Sequence, residues 1–249
     1  MTAHAFDERY FSGGSKSNYL DYGSVETAID IGFMPVVARY AAVAGAGKEQ
    51  PRSLDVGCAY GFYVQRLARM GWDAHGVDIS EYAVDQGRAR GIGSLHVAPA
   101  NRLPFPAASF DFVTSIDVIE HVPSEVGPAM VAEIHRVLCP GGLAFVATPN
   151  FIDNPYWNVY LPEFVDPDVT HINYQSAESI RRLFATFSRC SIYGDTPFRD
   201  QFHAWETSGV ARHRLARVPL VGTAMSHLAW KLLGRSIEYS SYLHAVAIK

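Results

Sequence analysis

The stretch Leu54-Asp55-Val56-Gly57-Cys58-Ala59-Tyr60-Gly61 decides how this chain folds. An apolar run that ends in an acid and two glycines is typical of a strand that turns sharply into a helix, because glycine adopts backbone conformations closed to other residues. A second run, Gly76-Val77-Asp78-Ile79-Ser80, places another acid 23 residues after Asp55. Glycines let a ligand approach the backbone closely, and the later carboxylate can accept hydrogen bonds from ribose hydroxyls. Together the two runs predict a nucleoside-binding site.

Size and composition set the class of protein. With 249 residues, 48% of them apolar and 18% charged, the chain suits one α/β domain with insertions. Its net charge of −4 gives no general case for nucleic-acid binding. The cysteines Cys58, Cys139 and Cys190 are widely spaced, which favours reduced thiols in a cytoplasmic protein. The first residues lack the pattern of a signal peptide, and no window of about 20 uninterrupted apolar residues predicts a spanning helix.

Apolar and amphipathic segments alternate around and beyond this motif. Strands are predicted near residues 52–56, 74–77, 94–97, 111–116, 143–148, 189–193 and 242–248, and helices near 61–70, 80–90, 124–138 and 176–187. Short apolar strands separated by amphipathic helices predict a parallel sheet covered on both faces. The breaker run Cys139-Pro140-Gly141-Gly142 predicts a loop between a helix and a strand. Ser24 is predicted to cap an N-terminal helix that continues past Pro35.

The spacing of the glycines separates the candidate nucleoside cofactors. A dinucleotide fold is expected to carry Gly-x-Gly-x-x-Gly after its first strand, whereas this chain has Gly57-x-x-x-Gly61. No Gly-Lys-Ser/Thr follows, so the sequence of a phosphate-binding P-loop is missing as well. The turn therefore suits close approach of a ligand without an obvious site for pyrophosphate.

Several motifs in this order and spacing resemble those of the class I S-adenosylmethionine-dependent methyltransferases. The motifs are Leu54–Gly61, Gly76–Ser80, Leu103–Phe105, Ser109–Asp111, Ile119–Val122 and Leu138–Gly142. The resemblance extends over residues 52–190 and the terminal strand at 242–248. It implies a Rossmann-like α/β fold, doubly wound and mostly parallel with an antiparallel last strand, and S-adenosyl-L-methionine as the cofactor.

The resemblance also implies which residues hold the cofactor. The turn from Gly57 to Gly61 would face its methionine portion, Asp78 would bind both ribose hydroxyls, and Ile79 would pack beside the adenine. The full predicted set is Asp55, Gly57, Cys58, Ala59, Tyr60, Gly61, Asp78, Ile79, Ala100, Asn101, Ser115 and Ile116. Pro99 stands where relatives commonly carry an aspartate that contacts the adenine amine. Adenine recognition is therefore expected to rely on backbone groups and apolar packing.

Two histidines are the catalytic candidates. His121 follows the fourth predicted strand, and it either acts on the acceptor or packs against the cofactor. His171 lies in the connection after the fifth strand, at the edge where open α/β sheets bind ligands, and it is either a general base or a structural loop residue. Asp117 and Glu120 can orient a histidine. Glu120 and His121 can also join a loop carboxylate around a metal, but no second cluster of ligands supports this, so no metal is predicted.

Aromatic residues are predicted to cover the cofactor and to select the acceptor. The N-terminal tyrosines either close over the cofactor as a lid or anchor their segment by packing. The connection at 151–175 is rich in aromatic and acidic residues, which suits sugars and other hydroxylated or amine-bearing small molecules. The predicted lid and acceptor residues are Tyr10, Tyr19, Tyr22, Tyr156, Trp157 and Tyr174.

The sequence predicts two regions, the second of which contains two distinct segments. These are an N-terminal lid and helical segment at 1–50, and a methyltransferase domain at 51–249 that contains the acceptor loop 151–175 and a helical insertion at 205–238. Within the insertion, residues 208–235 combine an apolar set with basic flanks and contain no acid. Such an element either contacts an anionic membrane surface, near a lipid-linked acceptor, or packs on the domain or on a second subunit.

These features predict an enzyme that transfers a methyl group from S-adenosylmethionine to oxygen, or to nitrogen, of a small hydroxylated acceptor such as a sugar, glycolipid or natural product. The alternative is a non-catalytic S-adenosylmethionine-binding module that keeps the fold. An oxidoreductase that uses a dinucleotide is a third hypothesis, against which the missing glycine fingerprint argues. The expected partner is a small-molecule acceptor and not nucleic acid. The expected location is the cytoplasm, with peripheral membrane contact through residues 208–235, and the sequence gives no oligomeric state.

Overall fold

A computed structural model of the protein describes residues 3–14, 17, 19–153, 166, 168–194, 240 and 242–249. Tyr156, Trp157 and the insertion predicted at 205–238 lie outside these described residues, so what is expected of them remains a prediction. The domain boundaries also remain predictions.

Within the described residues, strands and helices alternate as the apolar pattern predicts. The strands are β1 (Arg52–Val56), β2 (Asp73–Asp78), β3 (Leu95–Val97), β4 (Phe110–Ile116), β5 (Leu138–Pro149), β6 (Arg189–Gly194) and β7 (Tyr242–Ile248). The α-helices are α1 (Glu8–Phe11), α2 (Val25–Ile31), α3 (Met34–Ala44), α4 (Phe62–Arg69), α5 (Glu81–Ala89), α6 (Gly127–Val137) and α7 (Ala177–Leu183). Short 3-10 turns cover Ala3–Phe6, Tyr22–Ser24 and Ile119–His121. No single helix among the described residues is long and apolar enough to cross a membrane; the pair Tyr22–Asp30 and Met34–Ala44, bent by 63°, reaches that length and composition only when taken together.

The seven described strands form one sheet in the order β3-β2-β1-β4-β5-β7-β6. The first five strands of the chain pair in parallel, and β7 lies antiparallel between β5 and β6. The strand order reverses at β1, which has β2 on one side and β4 on the other. Open α/β sheets bind ligands at the carboxyl ends of the strands beside such a reversal. The predicted fold class, a mostly parallel α/β sheet with an antiparallel last strand, is confirmed.

Each face of the sheet is covered by its own apolar layer. Val37 of α3 and Phe112 of β4 belong to one layer, whereas Met130 of α6 and Val113 of β4 belong to the other. Successive side chains of a strand point to opposite faces, so neighbouring residues of β4 enter different layers. All seven residues of the central strand β4 are buried, as expected of a parallel strand that is covered on both faces.

The prediction of one N-terminal helix capped by Ser24 is wrong. The structure has two helices, α2 and α3, separated at Gly32 and Phe33, with Pro35 in the first turn of α3. The Ser24 hydroxyl donates to the carbonyl oxygen of Asp21 (2.7 Å) and makes no capping bond to the helix backbone. Proline lacks the N–H that a continuous helix requires and is tolerated in a first turn, so a new helix starts around it.

The prediction of a loop at Cys139–Gly142 is also wrong, because β5 begins one residue earlier and runs through this stretch. The register with β4 shifts between Phe110 and Phe112, which marks a bulge or irregularity. Gly141 has a φ of 75°, and its N–H donates to the carbonyl oxygen of Lys249 (3.0 Å). Glycine tolerates this left-handed conformation, so the breaker residues bend the strand without ending it.

Candidate active site

A cavity of about 580 Å³ opens at the carboxyl ends of β1, β2 and β4. Its wall comes from the turn after β1, the end of β2 with residues 98–101, the turn after β4, and the loop that holds Asp168 and His171. Aromatic and apolar residues of the N-terminal segment, from Phe6 to Phe33, also line it. Parallel strands direct their carboxyl ends to one edge of the sheet, so residues far apart in sequence meet there.

The turn after β1 brings the backbone to the cavity. Gly57 has a φ of 79°, and a Cβ at this position would lie 2.2 Å from Cγ2 of Val118, so only glycine fits. The N–H groups of Gly57 and Cys58 both donate to the carbonyl oxygen of Val77 (2.8 and 2.9 Å), which fixes the turn against β2. Gly57 and Ala59 line the cavity as a result.

Asp78 ends β2 and faces the cavity with a prepared carboxylate. Its Oδ2 accepts from the Ala59 N–H and its Oδ1 from the Ser80 N–H, both at 2.8 Å. Burial raises the pKa of Asp78, and these backbone hydrogen bonds oppose the rise. Each carboxylate oxygen has two acceptor positions, so both oxygens can still accept a hydroxyl. The chemistry of this carboxylate fits the two ribose hydroxyls of a nucleoside.

The predicted cofactor residues divide between the wall of the cavity and the layer behind it. Those in the wall are Gly57, Ala59, Asp78, Ile79, Ala100, Asn101 and Ile116. Those that do not line the cavity are Asp55, Cys58, Tyr60, Gly61 and Ser115. All members of the second set are buried, and we refer to them as the supporting layer. Pro99 and its neighbours Ala98 and Ala100 form an apolar part of the wall, as expected of a surface that packs against adenine.

Asp55 belongs to this supporting layer. Its Oδ1 accepts a hydrogen bond from Thr114 Oγ1 (2.7 Å), whereas its Oδ2 has no hydrogen-bond partner among the described residues. Burial raises the pKa of Asp55 to about 7, against the opposing effect of the Thr114 hydroxyl. A buried carboxyl with one oxygen left without a hydrogen bond lowers the stability of the folded protein, so Asp55 ties β1 to β4 at an energetic cost.

Asp117 is a second incompletely bonded acid, and this one lines the cavity. It follows β4 with a φ of 55°, and its Oδ1 is buried without a hydrogen-bond partner among the described residues. Burial raises the pKa of Asp117 to about 6, although His171 and a hydrogen bond from Tyr242 lower it. Its neighbour Val118 covers Gly57, so this acid lies beside the glycine turn. The methionine part of S-adenosylmethionine carries an ammonium group, which fits such an oxygen.

The N-terminal segment packs over the cavity through aromatic rings. Tyr10, Tyr19 and Tyr22 all line the cavity, and their rings meet edge to face, with centroids 5.7 Å apart for the first pair and 4.8 Å for the second. The Ser80 hydroxyl, beside Asp78, donates to the carbonyl oxygen of Phe6 (2.5 Å). The segment is thus anchored beside Asp78 by this hydrogen bond, and the Tyr22 ring stacks on Phe62 of α4 (centroids 5.9 Å). Whether it opens as a lid remains a prediction.

His121 lies in the 3-10 turn after β4 and is buried at the cavity. Its Nδ1 lies 3.2 Å from the carbonyl oxygen of Thr170 and 2.9 Å from Thr170 Oγ1. A carbonyl oxygen only accepts, so we assign the ring hydrogen to Nδ1, which leaves a lone pair on Nε2. Burial, with a contribution from His171, lowers the pKa of His121 to about 4, so the ring is neutral at pH 7.

His171 packs against His121, with ring centroids 4.6 Å apart. Its Nδ1 lies 2.5 Å from Oδ2 of Asp166, and we assign the hydrogen to this nitrogen because a carboxylate accepts. The Tyr174 hydroxyl donates to the same carboxylate oxygen (3.0 Å). Tyr174 itself is partly exposed and is not among the described residues that line the cavity, so its contact with the acceptor remains a prediction. Nε2 of His171 takes no part in this bond and carries a lone pair when the ring is neutral.

Asp168 connects the N-terminal segment with both histidines. Its Oδ2 accepts from the Tyr10 hydroxyl (3.3 Å) and lies 4.0 Å from Nε2 of His171. Its Oδ1 accepts from the Thr170 hydroxyl (2.5 Å) and the Thr170 N–H (2.9 Å). Since the single hydroxyl hydrogen of Thr170 goes to Asp168, its oxygen accepts from His121, which agrees with the assigned ring tautomer.

Sequence reasoning named both histidines but missed their partners. Asp166, Asp168 and Thr170 orient the rings, and Phe6 and Tyr242 add to the cavity wall. The sequence signal for Asp166, Asp168 and Thr170 is their position in the five residues directly before His171, where two acids and a threonine alternate with apolar residues. The aromatic wall residues carry no comparable signal, because an isolated Phe or Tyr is equally typical of a core.

Residues 54–146 match a family model described as a methyltransferase domain. The chain is similar to a Sinorhizobium fredii protein named ubiquinone biosynthesis O-methyltransferase, with 39% identity over 104 residues, 40% of this chain and 41% of that protein. A Nitrosococcus oceani protein of the same name is 31% identical over 119 residues, 45% of this chain and 48% of its own length. The chain thus spans less than half the length of the curated relatives it matches.

Solved structures share the fold at low identity. A crystal structure of a SAM-dependent methyltransferase from Archaeoglobus fulgidus superimposes with a TM-score of 0.60 and 18% identity, covering 92% of this chain and 99% of the other. Phosphoethanolamine N-methyltransferase 2 from Haemonchus contortus, in complex with S-adenosyl-L-methionine, gives a TM-score of 0.56 and 20% identity, covering 87% of this chain and 52% of the other. At these identities the likeness concerns the fold.

Proposed function

We propose that this chain, which carries a class I S-adenosylmethionine-dependent methyltransferase domain, transfers a methyl group to a hydroxyl oxygen of a small, uncharged acceptor. The single observation that carries the proposal is that one cavity joins a nucleoside-type half to a pair of neighbouring histidines. The curated relatives named as O-methyltransferases support oxygen over nitrogen as the methylated atom.

The cofactor half would hold S-adenosylmethionine through three elements described above. Asp78 would accept the ribose hydroxyls, the apolar wall around Pro99 would pack against the adenine, and Asp117 with the turn at Gly57 would receive the methionine portion. Bound there, the cofactor supplies a methyl group on a positively charged sulfur that leaves with its electron pair. The chain must therefore position the acceptor in line and exclude water, effects worth roughly 7–11 kcal/mol in favourable cases.

The acceptor half would make the hydroxyl oxygen more nucleophilic. His121 and His171 are each assigned a hydrogen on Nδ1, so each has an Nε2 lone pair. Such nitrogens activate a hydroxyl either by accepting its hydrogen or by holding a cation that lowers its pKa. Proton acceptance and cation binding both require that the two rings are held in this orientation. Methylation then forms the carbon–oxygen bond, breaks the carbon–sulfur bond and releases the hydroxyl proton.

The charge of the wall supports an uncharged acceptor. Among the described residues the cavity is lined by Asp78, Asp117 and Asp168, and by no lysine or arginine. In the acceptor half Asp168 would repel a phosphate or carboxylate on the acceptor, and no lysine or arginine of the described wall offsets this repulsion. The acceptor must offer a hydroxyl and carry no charge. A sugar, the sugar part of a glycolipid and a phenolic natural product each meet both conditions.

The test is untargeted detection of methyl transfer. The protein is incubated with deuterium-labelled S-adenosylmethionine and pools of neutral glycosides, phenols and their phosphorylated or carboxylated counterparts, and labelled products are identified by mass spectrometry. We expect label on an oxygen of a neutral acceptor, and none with the Asp78→Ala variant at a limiting cofactor concentration. Label on nitrogen, or preference for the anionic counterparts, would contradict the proposed acceptor. Tight binding of S-adenosylhomocysteine without labelled product in any pool would favour the non-catalytic binding module.

A further inference from the structure

Three side chains with metal-binding atoms meet at the acceptor half of the cavity. One ligating atom each of Glu120, His121 and His171 lie within 4.8 Å of one another. The first two are consecutive in the turn after β4, and the third comes from the loop after β5, whose N–H groups at Ile172 and Asn173 donate to the carbonyl oxygen of Glu120 (both 2.9 Å). The backbone therefore fixes the loop against the turn. The sequence alone predicts no metal, because this contact between distant segments is not visible in it.

The hydrogen bonds of both rings leave the same nitrogen available. Nδ1 of His121 donates to Thr170, and Nδ1 of His171 donates to the Asp166 carboxylate. Metal-ligating histidines in proteins typically donate their other ring N–H to a carboxylate or to a backbone carbonyl. Each ring here shows one of these two arrangements, so both Nε2 lone pairs are held in orientation.

Glu120 provides the third donor atom. Its side chain is completely buried; Oε2 accepts from Thr148 Oγ1 (2.9 Å), but Oε1 has no hydrogen-bond partner among the described residues. A buried carboxyl oxygen without a partner destabilises the folded protein. One carboxylate oxygen of Glu120 lies within 4.8 Å of a ring nitrogen of each histidine, so Glu120 can serve as the third ligand.

We propose that Glu120, His121 and His171 bind a divalent transition-metal cation, for which Zn²⁺ is the best match, with a further coordination position open to the cavity. Two histidines and one carboxylate form an established ligand set of catalytic zinc, in which a fourth position takes water or substrate. Nitrogen donors disfavour Mg²⁺ and Ca²⁺, which prefer oxygen ligands. His121 and His171 both line the cavity, so the open position would face a bound acceptor.

This inference rests on the proposed function and makes it more specific. In the loaded protein the two rings would act as ligands, and the cation would lower the pKa of an acceptor hydroxyl at its open position. Thr170, Asp166 and Thr148 would then orient the three ligands. The acceptor class that suits such a site is a hydroxyl compound able to reach the cation, such as a phenol or a diol.

The test measures zinc binding directly, with neither S-adenosylmethionine nor acceptor present. Untagged protein is stripped with dipicolinate, dialysed and titrated with ZnCl₂ by calorimetry; CoCl₂ is used in parallel, because Co²⁺ in a site of low coordination number absorbs visible light. The variants are His171→Ala and Glu120→Gln, with His135→Ala as the matched control, since His135 packs against Phe187 away from the cavity. S-adenosylhomocysteine titrations of the same samples report whether each variant keeps its fold.

We expect one zinc ion per chain in the wild type and in His135→Ala, and binding weaker by more than about 100-fold in His171→Ala and Glu120→Gln. Asp166→Asn, which changes an orienting group, should weaken binding by about 10- to 100-fold. Absence of stoichiometric binding to the wild type, or unchanged binding to His171→Ala, would overturn the proposal. If Glu120→Gln does not fold, His171→Ala decides alone. Failure of the proposed function would appear as absent methyl transfer and leaves the zinc titration unaffected.

Discussion

The two halves of the cavity are built in different ways. The cofactor half comes from consecutive segments, a turn after β1 and the end of β2, and its polar contacts are largely between Asp78 and nearby backbone N–H groups. The acceptor half is assembled from side chains that lie 49 residues apart, as in the bond between His121 and Thr170. The comparison teaches that this fold fixes its nucleoside site with backbone geometry, and leaves the reacting end to side chains carried on loops.

Replacing His171 by alanine tests whether the two halves act independently, and it should have the largest effect. We expect turnover to fall by about 10²- to 10⁴-fold, because the hydroxyl loses the group that activates it. The affinity for S-adenosylhomocysteine, measured by calorimetry, should stay within about twofold of the wild type. His135→Ala is the control and should change neither. Equal losses of turnover and cofactor affinity would instead give His171 a folding role.

Replacing Asp78 by alanine makes the reverse test in the cofactor half. Hydrogen bonds to a charged group contribute about 1.5–3 kcal/mol, so the dissociation constant for S-adenosylhomocysteine should rise about 10- to 100-fold. Turnover at saturating cofactor should fall much less. Asp85→Ala, an exposed acid on α5, serves as the control. Unchanged affinity in Asp78→Ala would show that the ribose site has been misplaced.

Thr170→Val tests whether the acceptor half depends on orientation of its rings. The change removes the hydroxyl that accepts from His121 and donates to the Asp168 carboxylate. Loss of its hydrogen bond to the His121 ring costs about 1 kcal/mol, so turnover should fall about fivefold. Thr170→Ser keeps the hydroxyl and should restore it. Initial rates at saturating cofactor provide the measurement. If serine and valine behave alike, the methyl group and packing matter instead of the hydrogen bonds.

Asp55→Asn tests the supporting layer of the cofactor half, and its effect is measured as a change in thermal stability with pH. Burial raises the pKa of Asp55 from 3.8 to about 7 in the folded protein, so the folded state keeps a proton that the unfolded state has lost. This contribution to stability is present at low pH and is lost as pH rises from about 4 to about 7. Between pH 5 and 8 the melting temperature of the wild type should therefore fall more than that of the variant, by on the order of 5 °C.

Melting curves of the cofactor-free protein at both pH values make this measurement, with Asp85→Asn as the control. If the melting temperatures of the wild type and of Asp55→Asn decrease by the same amount between the two pH values, burial does not raise the pKa of Asp55. In that case the burial of Asp55 would not lower the stability of the folded protein as pH rises.

Much of the fold follows from local pattern, and the exceptions have identifiable causes. The strands β1 to β4, β6 and β7 lie within one residue of their predicted bounds, because apolar runs and their period are local features of the sequence. The helix α7 ends four residues earlier than predicted. The breaker run at Cys139–Gly142 misleads, since pairing with β4 and contact with Lys249 hold it in a strand. The break between α2 and α3 is missed because one proline is compatible with both a kinked helix and a new one.

The same division applies to the site residues. Gly57, Asp78 and Ile79 could be predicted because each sits at a fixed distance from a strand end. Asp55 and Tyr60 lie one layer further in, since neighbouring residues at a turn alternate between facing the ligand and facing the core. The sequence identified His121 and His171 as candidates but did not predict that they are in contact, and it did not identify Asp166. The reason is that the loop that pairs with the Glu120 backbone has no local sequence signature.

The sequence by itself determined the sheet, its mostly parallel order and a nucleoside site after β1 and β2, because these depend on short-range periodicity and on a backbone turn that only glycine permits. Only the tertiary structure decided what the other half of the cavity holds. Glu120, His121 and His171 become one cluster through backbone pairing between a turn and a loop about 50 residues further along the chain. Such contacts depend on where the strands end in space, which no local pattern records.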